Sequence, residues 1–119
     1  VMDGYKKLKE KLYRLKDKHS SNNLPEKFSL SQNYPNPFNP VTKINFSLPN
    51  PSKVSIKIYD ILGRTVKVLI DEFRDKGIHT VTFDGTGLAS GVYFYSIEVR
   101  QAGSSTVTFK DTKKMVLVK

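Results

Sequence analysis

Gln32-Asn33-Tyr34-Pro35-Asn36-Pro37-Phe38-Asn39-Pro40 is the stretch whose reading decides the fold of this 119-residue chain. Three prolines and three asparagines in nine residues specify a turn, where a generic hydrophilic loop would need none. Proline pre-sets φ at about −65°, and asparagine tolerates the left-handed region or bonds its own backbone. The stretch therefore reads as a rigid double turn pinned by Tyr34 and Phe38. A strand pattern follows at once, with Ile44, Phe46 and Leu48 alternating with polar neighbours.

The same period of two extends outward from this turn. Phe28 and Leu30 precede it, and Val54, Ile56 and Ile58 make a third set. Val66, Val68 and Ile70, with Leu69 between them, read as a fourth strand, Val81 and Phe83 as a fifth, and Tyr93, Tyr95, Ile97 and Val99 as a sixth. Val107 and Phe109 open a seventh, and Met115 and Leu117 keep their phase, so this strand is expected to run on with a kink. The connections agree with the strands. In Asp60-Ile61-Leu62-Gly63 the aspartate can bond the turn and the glycine can adopt the left-handed conformation, which is a type I turn closed by a glycine bulge. Ala102-Gly103-Ser104-Ser105 is a second hairpin. Pro49 and Pro51 cannot donate to a ladder, so the strands flanking Pro49-Asn50-Pro51-Ser52 should end at an edge or cross between sheets. Seven short strands with these turns specify an all-β, seven-stranded antiparallel sandwich. Such a fold works through an edge, a face or its loops.

Composition narrows the function classes. The length suits one ordinary domain with a short extra element. Cysteine is absent, which removes disulfides, thiolate metal sites and cysteine nucleophiles. No apolar run approaches the ~20 residues of a membrane span. No signal peptide opens the sequence, so an exported protein would be present here as a mature or C-terminal fragment. The net charge is +9, and it is spread out: residues 1–27 hold 8 basic and 4 acidic side chains, and residues 28–119 hold 12 and 7. A nucleic-acid binder would cluster those cations on one face between aromatics, so nucleic acid is not the expected partner.

Residues 1–19 differ from the rest. Tyr5, Leu8, Leu12 and Leu15 recur at helical spacing among lysines, giving an amphipathic helix with one narrow apolar stripe. The stripe would pack on the body of the domain or on a preceding protein. Two heptads are marginal for a coiled coil, and the stripe lacks the Trp or Phe of a membrane-surface helix. Residues 20–27, with Ser20-Ser21-Asn22-Asn23-Leu24-Pro25, read as a linker, and residues 28–119 as the domain.

Candidate chemistry is sparse. His79 with Asp84 and Ser90 would supply the residue types of a hydrolytic triad, but no nucleophile elbow accompanies them, and His79 reads as a surface or edge side chain. Asp71, Glu72 and Asp75 lack the acidic ladder of a calcium loop and lie among Arg74 and Lys76, so they read as a solvated loop. Asp60 and Arg64 flank the tight turn and are placed for a surface ion pair. Tyr93 and Tyr95 share the phase of Ile97 and Val99, which puts them in the core instead of on a sugar-stacking platform. No catalytic residue, metal site or cofactor is expected.

Five motifs in order resemble the type A C-terminal sorting domain of type IX secretion cargo. They are Phe28-Ser-Leu-Ser-Gln-Asn-Tyr-Pro-Asn-Pro-Phe-Asn-Pro40, Thr42-Lys-Ile-Asn-Phe46, Ile58-Tyr-Asp-Ile-Leu-Gly-Arg64, Leu88-Ala-Ser-Gly-Val-Tyr93 and Lys113-Lys-Met-Val-Leu-Val-Lys119. The resemblance implies an immunoglobulin-like sandwich that acts as an address for an otherwise unrelated cargo, with no enzymatic activity. It implies passage through the periplasm, recognition by outer-membrane secretion machinery, removal by a sortase-like peptidase within residues 20–27, and delivery to the cell surface or the medium. Residues 1–19 would then be the end of an unknown cargo or a spacer. The motif positions carried over are Pro35, Asn36, Pro37, Phe38, Asn39 and Pro40 in the turn, Tyr59, Asp60, Gly63 and Arg64 in the hairpin, and Gly91 and Tyr93 in a late strand. Lys113, Lys114 and Lys119 would contact the machinery, because a solvated strand end gives them no structural task. The immunoglobulin-like domain of the flagellar hook-capping protein shares the Asn-Pro-Phe turn and the Tyr-Asp-x-x-Gly hairpin, and an accessory sugar-binding sandwich is the third reading. Pairing of edge strands between copies, giving a dimer, is left open by the sequence.

Overall fold

Alternation of apolar and polar residues becomes seven strands in a computed structural model, which describes residues 25–119; the expected helix and most of the linker lie outside the described residues. The strands are β1 (Ser29–Leu30), β2 (Val41–Leu48), β3 (Ser52–Tyr59), β4 (Thr65–Arg74), β5 (Gly77–Asp84), β6 (Gly91–Gln101) and β7 (Val107–Leu117). They form two antiparallel sheets, ordered β1-β2-β5 and β4-β3-β6-β7. The Pro49-Asn50-Pro51 turn carries the chain from one sheet to the other, as its missing N–H groups require.

The inner faces of the two sheets make one core. Ile44, Phe46 and Leu48 of β2 and Phe83 of β5 face Val54, Ile56 and Ile58 of β3, together with Tyr93, Tyr95, Ile97 and Val99 of β6. Met115 and Leu117 of β7 complete it. The two tyrosines can be core residues because each hydroxyl finds a backbone acceptor at the margin of the core: Tyr95 donates to the Ser31 carbonyl at 2.6 Å and Tyr93 to the Ala89 carbonyl at 2.7 Å. Both turns read from the sequence form as hairpins, at Asp60–Gly63 between β3 and β4 and at Ala102–Ser105 between β6 and β7.

Two strands depart from the simple period. Register shifts at Ile56/Lys57 and Ile58/Tyr59 leave Leu69 and Val66 unmatched, so Ile70 lies opposite Ile56 while Val68 lies opposite Lys57. Val68 thus leaves the core face and is 49% exposed, whereas Leu69 packs against the core from the bulge. A shift at Val99/Arg100 does the same at the start of β7: Phe109 pairs with Val99, but Val107 pairs with Arg100 on the outer face. The acidic residues Asp71 and Glu72, read as a loop, lie on β4, where they meet Lys53 and Arg74 at 3.8 and 2.6 Å.

Burial pushes the Tyr95 phenol up to about 12. A folded value raised above the ordinary 10.0 means that the stability Tyr95 contributes is complete below pH 10 and is lost as the pH climbs toward about 12. Phenolate absorbance is expected to show one tyrosine titrating last, and Tyr95→Phe should remove that step. The same substitution strands the Ser31 carbonyl, so urea unfolding should report a loss of about 1 kcal/mol.

Candidate functional site

Four polar contacts tie the turn to the last strand. Val116 N–H donates to the Asn36 Oδ1 at 3.0 Å, and the Val116 carbonyl accepts from Phe38 N–H at 2.9 Å. Val118 N–H donates to the Phe38 carbonyl at 2.9 Å, and Gln32 Nε2 donates to the Lys114 carbonyl at 2.8 Å. Pro35 and Pro37 have no N–H to offer a ladder. The side-chain amides of Gln32 and Asn36 therefore supply what a backbone strand would supply, and only Phe38 pairs with β7 through its own backbone.

The turn is held from beneath by buried polar groups. Asn33 and Thr42 are both fully enclosed. Asn33 Nδ2 donates to the Thr42 Oγ1 at 3.0 Å and to the Pro35 carbonyl at 3.1 Å, and Thr42 Oγ1 donates to the same carbonyl at 2.8 Å. Phe38 is buried and meets Phe83 edge-on at 5.9 Å. Tyr34 does not pin the turn with its ring, which is 80% exposed; its backbone does so, exchanging hydrogen bonds with Lys43 at 2.9 and 3.0 Å. Gly85, immediately after β5, closes the arrangement. Its N–H donates to the Pro40 carbonyl at 2.8 Å, and a Cβ there would lie 3.2 Å from Leu117 Cδ2 and 3.4 Å from Phe38 Cε2, so any side chain at this position requires Leu117 and Phe38 to give way.

The hairpin at Asp60 is tied as its sequence specifies. The Asp60 carboxylate accepts from the N–H groups of Leu62 and Arg64, both at 2.9 Å, and from Arg64 Nε at 2.8 Å, while Gly63 takes φ +85°. The Arg64 N–H, then its guanidinium and the Leu62 N–H, hold the Asp60 carboxyl below its ordinary value.

Register then brings the separate motifs to one end of the four-stranded sheet. Tyr59 lies opposite Phe94, Phe94 opposite Lys114, and Gly91 opposite Leu117. Asn39 is exposed beside the turn. Lys113 is not with Lys114: it points to the other side of β7, half-buried, 3.8 Å from Asp111. Lys119 is exposed, with its N–H bonded to Ser90 Oγ at 3.1 Å. Gln32, Asn33 and Thr42 stand in the sequence only as members of motifs and Gly85 in none, because the roles of Gln32 and Gly85 depend on partners far along the chain.

The residue types of a triad are held apart by other bonds. His79 stacks on Phe46 at 5.2 Å and bonds the Asp75 carbonyl, Asp84 accepts from Thr86, and Ser90 serves Lys119. Among the described residues, no group of three His, Asp or Glu side chains is arranged to hold a metal ion.

Residues 32–116 match the secretion system C-terminal sorting domain, and the chain belongs to that family. It is a sorting signal for type IX secretion, a pathway that delivers to the cell surface or the extracellular space and whose machinery recognises such domains. Among solved structures, a chain of dimeric latent PorU from Porphyromonas gingivalis is similar at 22% identity with a TM-score of 0.59, over 77% of this chain and 9% of that one. This likeness is one of fold, and the chain spans under a tenth of that protein. CopC from Methylosinus trichosporium OB3b aligns at 16% identity with a TM-score of 0.46, over 76% of this chain and 93% of that one. No curated protein matches the chain significantly.

Asn36→Ala should leave the Val116 N–H without an acceptor and speed its hydrogen exchange about tenfold, while the Asp60–Arg64 hairpin exchanges as before. Gly85→Val, which forces side-chain atoms against Leu117 and Phe38, should cost about 1–3 kcal/mol in urea unfolding.

Proposed function

We propose that residues 28–119 are a folded, immunoglobulin-type address, read as a surface by the outer-membrane machinery while the protein is in the periplasm. The sheet orders β1-β2-β5 and β4-β3-β6-β7 support that type: they correspond to A-B-E and C-F-G strands with the fourth strand moved to the edge beside the third. The Tyr93 hydroxyl reaching back to the Ala89 carbonyl at the start of β6 is the corner such sandwiches use.

The observation that carries the reading is the bonding of the Pro35–Phe38 turn to Lys114–Val118. It makes two motifs at opposite ends of the domain into one rigid element. Within it, Pro35, Asn36, Pro37, Phe38, Asn39 and Pro40 form and hold the edge; Tyr59, Asp60, Gly63, Arg64, Gly91 and Tyr93 fix the neighbouring end of the sheet. Lys114 and Lys119 are the solvent-facing contacts, with Lys113 turned to the other side. A sortase-like peptidase cuts within residues 20–27, releasing a cargo to which residues 1–19 belong or are a spacer. The domain itself performs no catalysis. A sugar-binding role finds less support, because the strongly exposed rings, Tyr34 in the turn beside β2 and Phe73 on β4, do not share a sheet.

The test is export of a periplasm-directed fluorescent protein carrying the whole chain, in a bacterium with type IX secretion. Surface or medium fluorescence is expected, and it should vanish when Lys113–Lys119 are removed. Lys114→Ser and Lys119→Ser should each reduce it without altering thermal stability. Periplasmic retention of the folded parent fusion would sink the proposal.

A further inference from the structure

On the outer face of the four-stranded sheet, turned away from the core, the far end carries the exposed Phe73 opposite Lys53, and the end near the turn carries several apolar side chains together. An antiparallel sheet with one solvated face ordinarily carries polar side chains there. Near the turn, Tyr59, Phe94 and Lys114 instead lie in one row across β3, β6 and β7, and Val92 lies opposite Val116 in the next. Tyr59, Phe94, Val92 and Val116 are half-buried, yet none belongs to the core. Packing between the sheets gives no reason for two aromatics and two valines at these positions.

Charge follows the same division. At the far end of the face the cations are compensated: Lys53 has Asp71 at 3.8 Å, and Arg100 and Lys110 share Glu98 at 3.4 Å. Near the turn, exposed Lys57 and Lys114 have no carboxylate within ion-pair distance among the described residues. An apolar strip bordered by uncompensated cations is the make-up of an interface whose centre buries rings and whose rim selects an opposite charge. A second copy of the chain would bring this positive border against itself.

Building on the sorting function proposed above, we infer that the strip of Tyr59, Phe94, Val92 and Val116, bordered by Lys57 and Lys114, is the docking surface for a protein of the export machinery that presents an apolar centre flanked by carboxylates. The Tyr59 ring, set at the mouth of the Asp60 hairpin, and the Phe94 ring beside Lys114 supply the apolar contact. The two lysines set register and orientation. The Asn36 clasp on Val116 keeps β7, and with it Lys114, in the plane of the sheet.

The whole chain fused to the periplasm-directed reporter tests this. Phe94→Thr and Lys114→Glu should each cut the exported fraction about tenfold, whereas Phe73→Thr and Lys110→Glu, at the far end of the same face, should change it by less than about twofold. Thermal melting of the purified fusions separates docking from folding. Should Phe94→Thr not fold, Lys57→Glu alters only an exposed side chain and carries the same expected loss. Normal export of the Phe94, Lys114 and Lys57 variants, with export still abolished by removing Lys113–Lys119, would overturn the strip and leave the sorting function standing. Failure of the parent fusion to leave the periplasm would overturn the function itself. Equal losses in the far-end variants would also overturn the strip. So would Lys114-dependent flotation with phosphatidylglycerol vesicles, which would assign the face to lipid, or a dimer in sedimentation that Phe94→Thr dissociates. The expected results are no flotation and a monomer.

Discussion

The hydrogen bonds between Gln32–Phe38 and Lys114–Val118 are the constraint on which the rest of this sandwich depends. Strand β7 is at the edge of its sheet, so one side of its backbone has no neighbouring strand. Over its second half that side is satisfied largely by Pro35–Phe38, in which two of four residues lack an N–H. Asn36 and Gln32 make up the deficit with side-chain amides. An ordinary strand there would also have worked as a ladder partner, but it would have presented another open edge to solvent or to a second chain. Proline in the covering segment ends the sheet while the amides still bond it.

Beneath this edge the polar accounting is complete. Asn33, Thr42 and the Pro35 carbonyl bond one another, Gln32 Nε2 donates to the Asn33 Oδ1 at 2.6 Å, and no buried side-chain nitrogen or oxygen is left unpaired among the described residues. That matters because an enclosed amide without a partner costs more than a made hydrogen bond returns. The same enclosure places Phe38 against Phe83 and Leu117 against Gly85, so the polar set and the apolar core determine one geometry together.

The elements were legible because a half-buried strand writes itself as alternation and a tight hairpin as Asp and Gly at fixed positions. The Asp60 turn, the sheet-crossing Pro49–Pro51 turn and the inward tyrosines of β6 follow from local rules. What local rules miss is any slip in phase. Val66, Val68 and Val107 look like core residues in the sequence, and bulges opposite Lys57, Tyr59 and Arg100 turn them out. Tyr34 and Phe38 are equivalent in a turn sequence, and only the presence of Phe83 and Leu117 decides which ring goes in. The site was legible as separate motifs and not as a unit, because nothing near Asn36 announces Val116. Phe94 escaped notice for a related reason: period-two reading follows the buried face and passes over what its alternate residues do.

The Asn36–Val116 contact joins residues 80 positions apart. Closing so long a loop is entropically costly and slow, and the reward comes only once the far end is present. During synthesis the turn therefore leaves the ribosome long before its partner strand does. A nascent chain that still lacks Val116 and Val118 carries the turn but cannot complete the edge, so the finished surface reports that synthesis has passed Val118.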